Sequence, residues 1–190
     1  MPGKAEITAS VSHGISNAKI GAIGELNDEV YVAWNGTASD TPKLFKYNNT
    51  TDSWGSALST SSMLDQVTDV TNFTDRAGTS YLIFAHYDTS GSGYTYSSNG
   101  TSWTTDAQAA QYLTVWDERL WGISYAGQLW YASVIGTEVT EAKLPLPDGY
   151  ITGLFVARDA SGEPIIYAST KKGLWAHDAA NARFVETQLG

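Results

Sequence analysis

The chain has 190 residues, 42% of them hydrophobic and 12% aromatic, which is enough to bury a substantial core and too aromatic for a disordered segment. A net charge of −9 with only 11 Lys and Arg repels polyanions at long range, so nucleic acid is not an expected partner. Cysteine is absent, which removes disulfides, thiolate metal sites and thiol nucleophiles together, and no apolar run reaches the length of a membrane helix, so no membrane is expected either.

Taken in order, Lys4 to Val11 alternates polar and apolar side chains as a strand does. Ile20 to Leu26 and Val30 to Trp34 follow, split by the turn Asn27-Asp28-Glu29, and Leu44 to Tyr47 leads through Asn, Thr and Asp to Trp54. The next stretch gives Val67 to Phe73, Tyr81 to Ala85, Gly93 to Tyr96 and a strand opening at Trp103. Then come Tyr112 to Trp116, Leu120 to Ser124, Gln128 to Ala132 and Val139 to Leu144, and last Ile151 to Ala157, Pro164 to Ser169, Gly173 to His177 and Arg183 to Leu189. Helical periodicity is almost absent throughout.

The segments fall into four copies of one unit. Tyr47 and Trp54 stand seven residues apart, as do Tyr96 and Trp103 and His177 and Phe184, with Ala132 and Val139 in the same places of the third copy. Large side chains so spaced, bridged by Asn, Asp, Gly, Ser and Thr, read as strand, tight turn, strand. Four short strands repeating at an interval that drifts around roughly 43 residues are the pattern of a β-propeller blade. The expected fold is all-β: a β-propeller with four four-stranded blades per chain, at about 15–60, 61–107, 108–147 and 148–190, after a leader over 1–14. The ring is either closed by the four blades or is half of an eight-bladed ring completed by a second chain. Within each blade the strands run a, b, c, d from axis to rim. Strand b is a nearly continuous apolar run, as a strand covered on both faces requires. Strand a is rich in small residues (Gly21, Ala22, Gly24, Gly153), expected where backbones crowd the axis. Lys4 to Val11 makes a fifth d-type strand, either an idle leader or a strand that pairs at the rim of another blade, in this chain or in a second copy.

The pattern Tyr47-x-x-x-Thr51-x-x-Trp54 resembles the second half of a kelch repeat, and Ser97 to Trp103 resembles a shortened Asp-box, with Asn99 close to where that turn keeps its aspartate. These likenesses imply the propeller architecture over roughly residues 15 to 189 and not the activities of those families. Leu113 to Trp121 and Lys172 to Asp178 are similar to propeller repeats of bacteriophage virion and tail-associated proteins. That resemblance implies a structural or receptor-contacting role on a particle, with a virion or the cytoplasm of a prokaryotic host as the setting.

Candidate chemistry is sparse. Asp28, Asp75, Asp117 and Asp159 recur in the a–b turns, where four carboxylates on one propeller face are a candidate ring for a hard cation; the competing reading is that Asp is a favoured turn residue. Arg76, Arg119 and Arg158 adjoin these acids and are expected to pair on the surface with Asp75, Glu118 and Asp159. His13, His86 and His177 share no ligand spacing, and no nucleophile elbow or phosphate loop occurs. No cofactor is expected. The b–c and d–a connections share the opposite face, and there Trp34, Asn35, Asp40, His86, Tyr87, Asp88, Tyr125 and Tyr150 are the candidate ligand-binding residues, since aromatics beside Asn and Asp suit a sugar. The functional expectation is a non-catalytic binding or assembly module of a phage-like virion. A carbohydrate-binding lectin is the alternative, and a glycosidase or sialidase-like enzyme the third reading. The expected partners are a second copy of the chain or further repeats of a longer parent, together with a glycan or protein ligand.

Overall fold

The computed structural model describes residues 19–35, 42–58, 66–87, 92–146 and 151–187, and among them every regular element is a strand. The expected strand at Lys4 to Val11 lies outside these residues. The first sheet comprises β1 (Lys19–Leu26), β2 (Glu29–Asn35), β3 (Lys43–Asn48) and β4 (Ser53–Trp54). The second comprises β5 (Gln66–Thr74), β6 (Ser80–Tyr87), β7 (Ser92–Ser97) and β8 (Thr104–Asp106). The third holds β9 (Tyr112–Trp116), β10 (Arg119–Ile123), β11 (Gln128–Ala132) and β12 (Val139–Lys143), and the fourth β13 (Ile151–Arg158), β14 (Pro164–Thr170), β15 (Gly173–Asp178) and β16 (Arg183–Glu186). Each is an antiparallel meander in sequence order, the blade of a β-propeller.

The hairpins between the first two strands of each blade are made in two ways. Asn27-Asp28 and Asp117-Glu118 adopt left-handed φ of 54° and 61°, and 52° and 55°, giving two-residue turns whose twist matches that of the flanking strands. Asp75 and Asp159 open longer turns closed by the glycines at φ 83° (Gly78) and 89° (Gly162), each glycine N–H donating to the aspartate carbonyl. The register breaks at the same place in blades 1, 2 and 4, near the far end of the inner strand, between Ile20 and Ala22, Val67 and Asp69, and Ile151 and Gly153. This shared bulge aligns the blades residue by residue. Gly24 of blade 1 corresponds to Thr71 and Phe155, and Ile23 to Val70 and Leu154.

Alternation then gives every blade two faces. The face turned to the following blade carries Ala22, Tyr31, Ala33 and Leu44 in blade 1, and it packs on Val67, Leu82, Phe84 and Trp103 of blade 2. In the same way Phe73, Ile83, Ala85 and Tyr94 of blade 2 meet Leu113, Leu120, Trp130 and Ala132 of blade 3. Trp121, Ile123, Leu129 and Ala142 of blade 3 meet Leu154, Ile166, Ala168 and Phe184 of blade 4. Each large side chain buried in these cores contributes about 1.5–3 kcal/mol of transfer free energy. The inner strands follow suit, β1 against β5, β5 against β9 and β9 against β13, and no comparable packing joins β13 to β1. The described residues therefore form four successive blades with three joints, not a four-bladed ring closed on itself.

Two sequence readings change at this level. The small residues of the inner strand answer to side chains of blades, not to crowding of backbones at an axis: a Cβ on Gly24 would lie 2.6 Å from Leu82 and 2.8 Å from Val70, so only glycine lets blade 2 seat. The seven-residue aromatic spacing produces directly opposed partners in Tyr47 with Trp54 and His177 with Phe184. In blade 2, however, Tyr96 faces Thr104, one residue later. Trp103 keeps the face that Trp54 and Phe184 occupy in their blades and packs edge-on to Tyr31 at 5.5 Å and against Phe84 at 5.9 Å, whereas the shift turns Tyr96 to the face toward blade 3. Its turn is organised by Asn99, whose Oδ1 accepts the N–H groups of Thr101 and Ser102, both at 2.9 Å. In the third copy Val139 opposes Tyr131 rather than Ala132, displaced by a bulge at Leu129 and Trp130.

Candidate functional site

The end of the blades that carries the b–c turns brings two of the sequence candidates together. Tyr87 closes β6 on the face turned to blade 3, and Tyr125 tips the turn between β10 and β11. Their rings stack across the joint with centroids 5.6 Å apart and planes 17° from parallel. The Tyr125 turn is fixed by Ser124, whose carbonyl accepts the Gly127 N–H at 2.9 Å and whose hydroxyl accepts the Gln128 N–H at 3.0 Å; Gly127 sits at φ 80°, where a side chain would be strained. The Gly127 carbonyl in turn accepts the Leu144 N–H at 2.9 Å, tying the tip to the outer strand. Tyr125 remains 37% exposed on this rigid base.

Residues that the sequence reading passed over lie beside and beneath the stack. Tyr112, which opens β9, has its hydroxyl pushed upward in pKa by burial, with Tyr87 and Asp69 adding to the shift. Asp69 is likewise raised by burial, although N–H groups of Leu113 and Val70, each at 2.8 Å, stabilise its carboxylate and pull the other way. The Leu113 bond crosses from blade 2 to blade 3, so this acid is committed to the joint. Gln111 is buried; its carbonyl accepts the Thr68 hydroxyl at 2.5 Å, and its side-chain Oε1 has no partner among the described residues. The face thus offers stacked aromatic rings, with Asp69 close by already in use at the joint.

The other candidates separate from this group. Asn35 is a clamp between blades: its Nδ2 donates to the Val67 carbonyl at 2.8 Å and its Oδ1 accepts the Val67 N–H at 2.7 Å. His86 is fully buried, with Nε2 2.9 Å from the Thr95 hydroxyl, and belongs to the interior of blade 2. Trp34 is half-buried opposite Ile20, on the face of blade 1 turned away from blade 2. Asp40, Asp88 and Tyr150 lie outside the described residues.

The cation ring does not form: among the described residues no three His, Asp or Glu side chains converge as metal ligands. The acids serve their turns. Asp28 and Asp117 supply left-handed φ, Asp75 Oδ1 accepts the Thr79 N–H at 3.0 Å, and Asp159 Oδ1 accepts the N–H groups of Ser161 and Glu163, both at 2.9 Å. Those bonds hold the Asp159 carboxyl below its usual pKa, the Ser161 hydroxyl most of all. The arginines also differ from their expected pairs. Arg76 reaches Glu118 of the next blade at 4.0 Å, Arg119 stacks over Tyr131 at 4.6 Å, and Arg158 donates to the Gly162 carbonyl at 2.5 Å.

No protein-family model matches the chain, and no curated protein is similar to it at a significant level. Among solved structures, the extracellular domain assigned to a hybrid two-component system of B. thetaiotaomicron superposes over 92% of this chain and 22% of its own, with a TM-score of 0.53 at 15% identity. The computationally designed Ika8 protein superposes over 85% of this chain and 46% of its own, with a TM-score of 0.51 at 13% identity. A thermostable family-43 glycoside hydrolase matches over 84% of this chain and 65% of its own, but its TM-score of 0.39 at 12% identity carries no argument. The chain spans less than half the length of the two structures it superposes on best among these, and at such identities the likeness is one of fold alone.

Proposed function

We propose that the chain is a non-catalytic binding module whose ligand face is the b–c end of blades 2 and 3. The stacked pair Tyr87 and Tyr125 carries this reading: one ring closing a strand and one on a turn held by three hydrogen bonds form a platform ready before a ligand arrives, which spares the cost of ordering them. A ligand with an apolar ring face and a rim of hydroxyls, a carbohydrate, is the class that such a platform suits. A receptor-contacting role on a phage-like particle is the setting that the resemblance of the third and fourth units supports. No acid pair is assigned to catalysis, because Asp69, the carboxylate found beneath the platform, is held by two backbone N–H groups.

The test is a glycan array with the unaltered protein, Tyr87→Ala and Tyr125→Ala. Binding by the unaltered protein, lost in both variants while their melting temperatures stay within a few degrees, is the expected result. Glycan binding that survives both changes would remove the platform from the reading. Turnover of a chromogenic glycoside panel would overturn the non-catalytic assignment.

A further inference from the structure

Asn-Gly occurs at Asn35–Gly36 and at Asn99–Gly100. Such a pair is self-reactive: glycine has no side chain to shield its backbone nitrogen, which attacks the carboxamide carbon of the asparagine before it. The Asn35 carboxamide is committed to Val67, and Gly36 lies outside the described residues. At Asn99–Gly100 both reacting groups are described, and both are engaged elsewhere. Asn99 Oδ1 accepts the N–H groups of Thr101 and Ser102 at 2.9 Å, the Thr101 hydroxyl at 3.0 Å and the Ser97 hydroxyl at 3.2 Å. Ser97 Oγ in turn accepts the Gly100 N–H at 2.9 Å and the Asn99 N–H at 3.3 Å. The Gly100 carbonyl accepts the Trp103 indole N–H at 3.3 Å, and its Cα lies against the Tyr31 hydroxyl of blade 1, where a Cβ has no room. Asn99 is exposed while Ser97 and Gly100 are buried, so solvent reaches the carboxamide and not the nitrogen that would attack it.

We infer that Asn99 is a latent self-modification site, held shut by this turn in the folded chain and released to form a succinimide when the joint between blades 1 and 2 opens. Hydrogen-bond donors lie near the plane of a carbonyl, whereas a nucleophile approaches its carbon from the face. Ring closure therefore turns the carboxamide away from Thr101 and Ser102, lifts the Gly100 nitrogen off Ser97 and draws the glycine out from Tyr31. The Gly100 nitrogen gives its proton to solvent and bonds to Asn99 Cγ; the Cγ–Nδ2 bond breaks, and the amino group takes up a proton and leaves as ammonia. Water then opens the ring at either carbonyl. One product is aspartate, which keeps an acceptor for the two N–H groups. The other is isoaspartate, which routes the main chain through the former side chain, adds a carbon to the turn and keeps Gly100 from reseating against Tyr31. Opening of the first joint thereby becomes irreversible in the chains that take this second route.

The test incubates the unaltered protein in mildly alkaline buffer, folded and in concentrated urea, and follows the peptide carrying Asn99 by mass spectrometry for the exchange of ammonia for water. Conversion in the folded protein is expected to be more than about tenfold slower than in urea, since several hydrogen bonds must break before the ring closes. Ser97→Ala frees the Gly100 N–H and should speed conversion in the folded protein several-fold. If that variant does not fold, intermediate urea gives the same reading on the unaltered chain, whose conversion should rise in step with the unfolded fraction. Refolded chains with isoaspartate at 99 alone should melt below the Asn99→Asp variant. Equal rates in buffer and in urea, or a rate indifferent to the unfolded fraction, would overturn the shielding. An unreacted Asn99 in urea, over a time in which Asn35 converts, would overturn the reactivity. A folded Ser97→Ala that converts no faster would take the latch away from this turn, and equal melting of the two products would overturn the irreversible step.

Discussion

Replacing Gly100 with alanine tests the first joint at its tightest point. Gly100 lies in the turn between β7 and β8 at φ 71°, and a Cβ there would collide with the Tyr31 hydroxyl and lie 2.8 Å from its Cζ. Tyr31 cannot retreat: it is fully buried, donates to Glu29 Oε2 at 3.0 Å, and meets the Trp103 ring edge-on at 5.5 Å. Glu29 is itself held by Lys46 at 2.5 Å. The left-handed backbone alone costs alanine about 1 kcal/mol, and forcing a side chain into a filled joint adds about 1–3 kcal/mol. Gly78→Ala separates these contributions, because Gly78 sits at φ 83° with nothing within 4 Å of the added carbon. In urea unfolding, Gly78→Ala should lose about 1 kcal/mol and Gly100→Ala about 2–4 kcal/mol. Removing the hydroxyl with Tyr31→Phe should make the Gly100→Ala penalty smaller by about 1 kcal/mol, a coupling that a double-mutant cycle resolves. Equal losses at Gly78 and Gly100, or no coupling to Tyr31, would refute the packing argument.

Three further outcomes are expected. Asn35→Ala should cost about 2–4 kcal/mol in urea unfolding, since it strands both the N–H and the carbonyl of Val67 at the joint. Asn35→Asp should also destabilise, because a carboxylate cannot donate to that carbonyl, while ligand binding by the folded fraction stays unchanged; a loss below about 0.5 kcal/mol in both would show that no clamp exists. His177, packed between Trp121 and Phe184, has its pKa lowered by burial, an effect that exceeds the opposing pull of Glu141 and Asp178. The unfolded state then binds the proton more readily, so this contribution is complete above pH 6.5 and is lost as pH falls through 6.5 toward the folded value. Melting temperature should fall across that window in the unaltered protein and the fall should flatten in His177→Phe; an unchanged slope would mean that another group titrates.

The strands were legible because the apolar run of each b strand and the Asn-Asp and Gly-bearing turns are local signals, and local signals fix local structure. What escaped the sequence was parity and register. His86 and Tyr87 are neighbours on β6, so one must face blade 1 and the other blade 3; reading them as one site ignored the two-residue period of a strand. Asn35 and Tyr125 look equally polar and equally terminal in sequence, yet only the next blade decides that Asn35 is consumed by Val67 while Tyr125 stays accessible. Tyr96 illustrates the same limit, since one extra residue in a turn puts it on the face toward blade 3, while Tyr47 and His177 lie on the opposite face of their blades. Asp69 and Tyr112 carried the weakest signal of all, standing in inner strands where nothing local marks a residue that reaches across a joint.

The open succession of four blades is tested most directly by cross-linking, because a chain without cysteine accepts labels only where they are placed. Glu25 lies on the free face of β1 and Ala157 on the free face of β13, at the same end of their strands. With both changed to cysteine and treated with a short bifunctional maleimide at low protein concentration, the open arrangement predicts no internally linked single chain on a denaturing gel. A product that stays at single-chain mass with an internal loop would show that β1 and β13 meet within one chain, and the open arrangement would be contradicted.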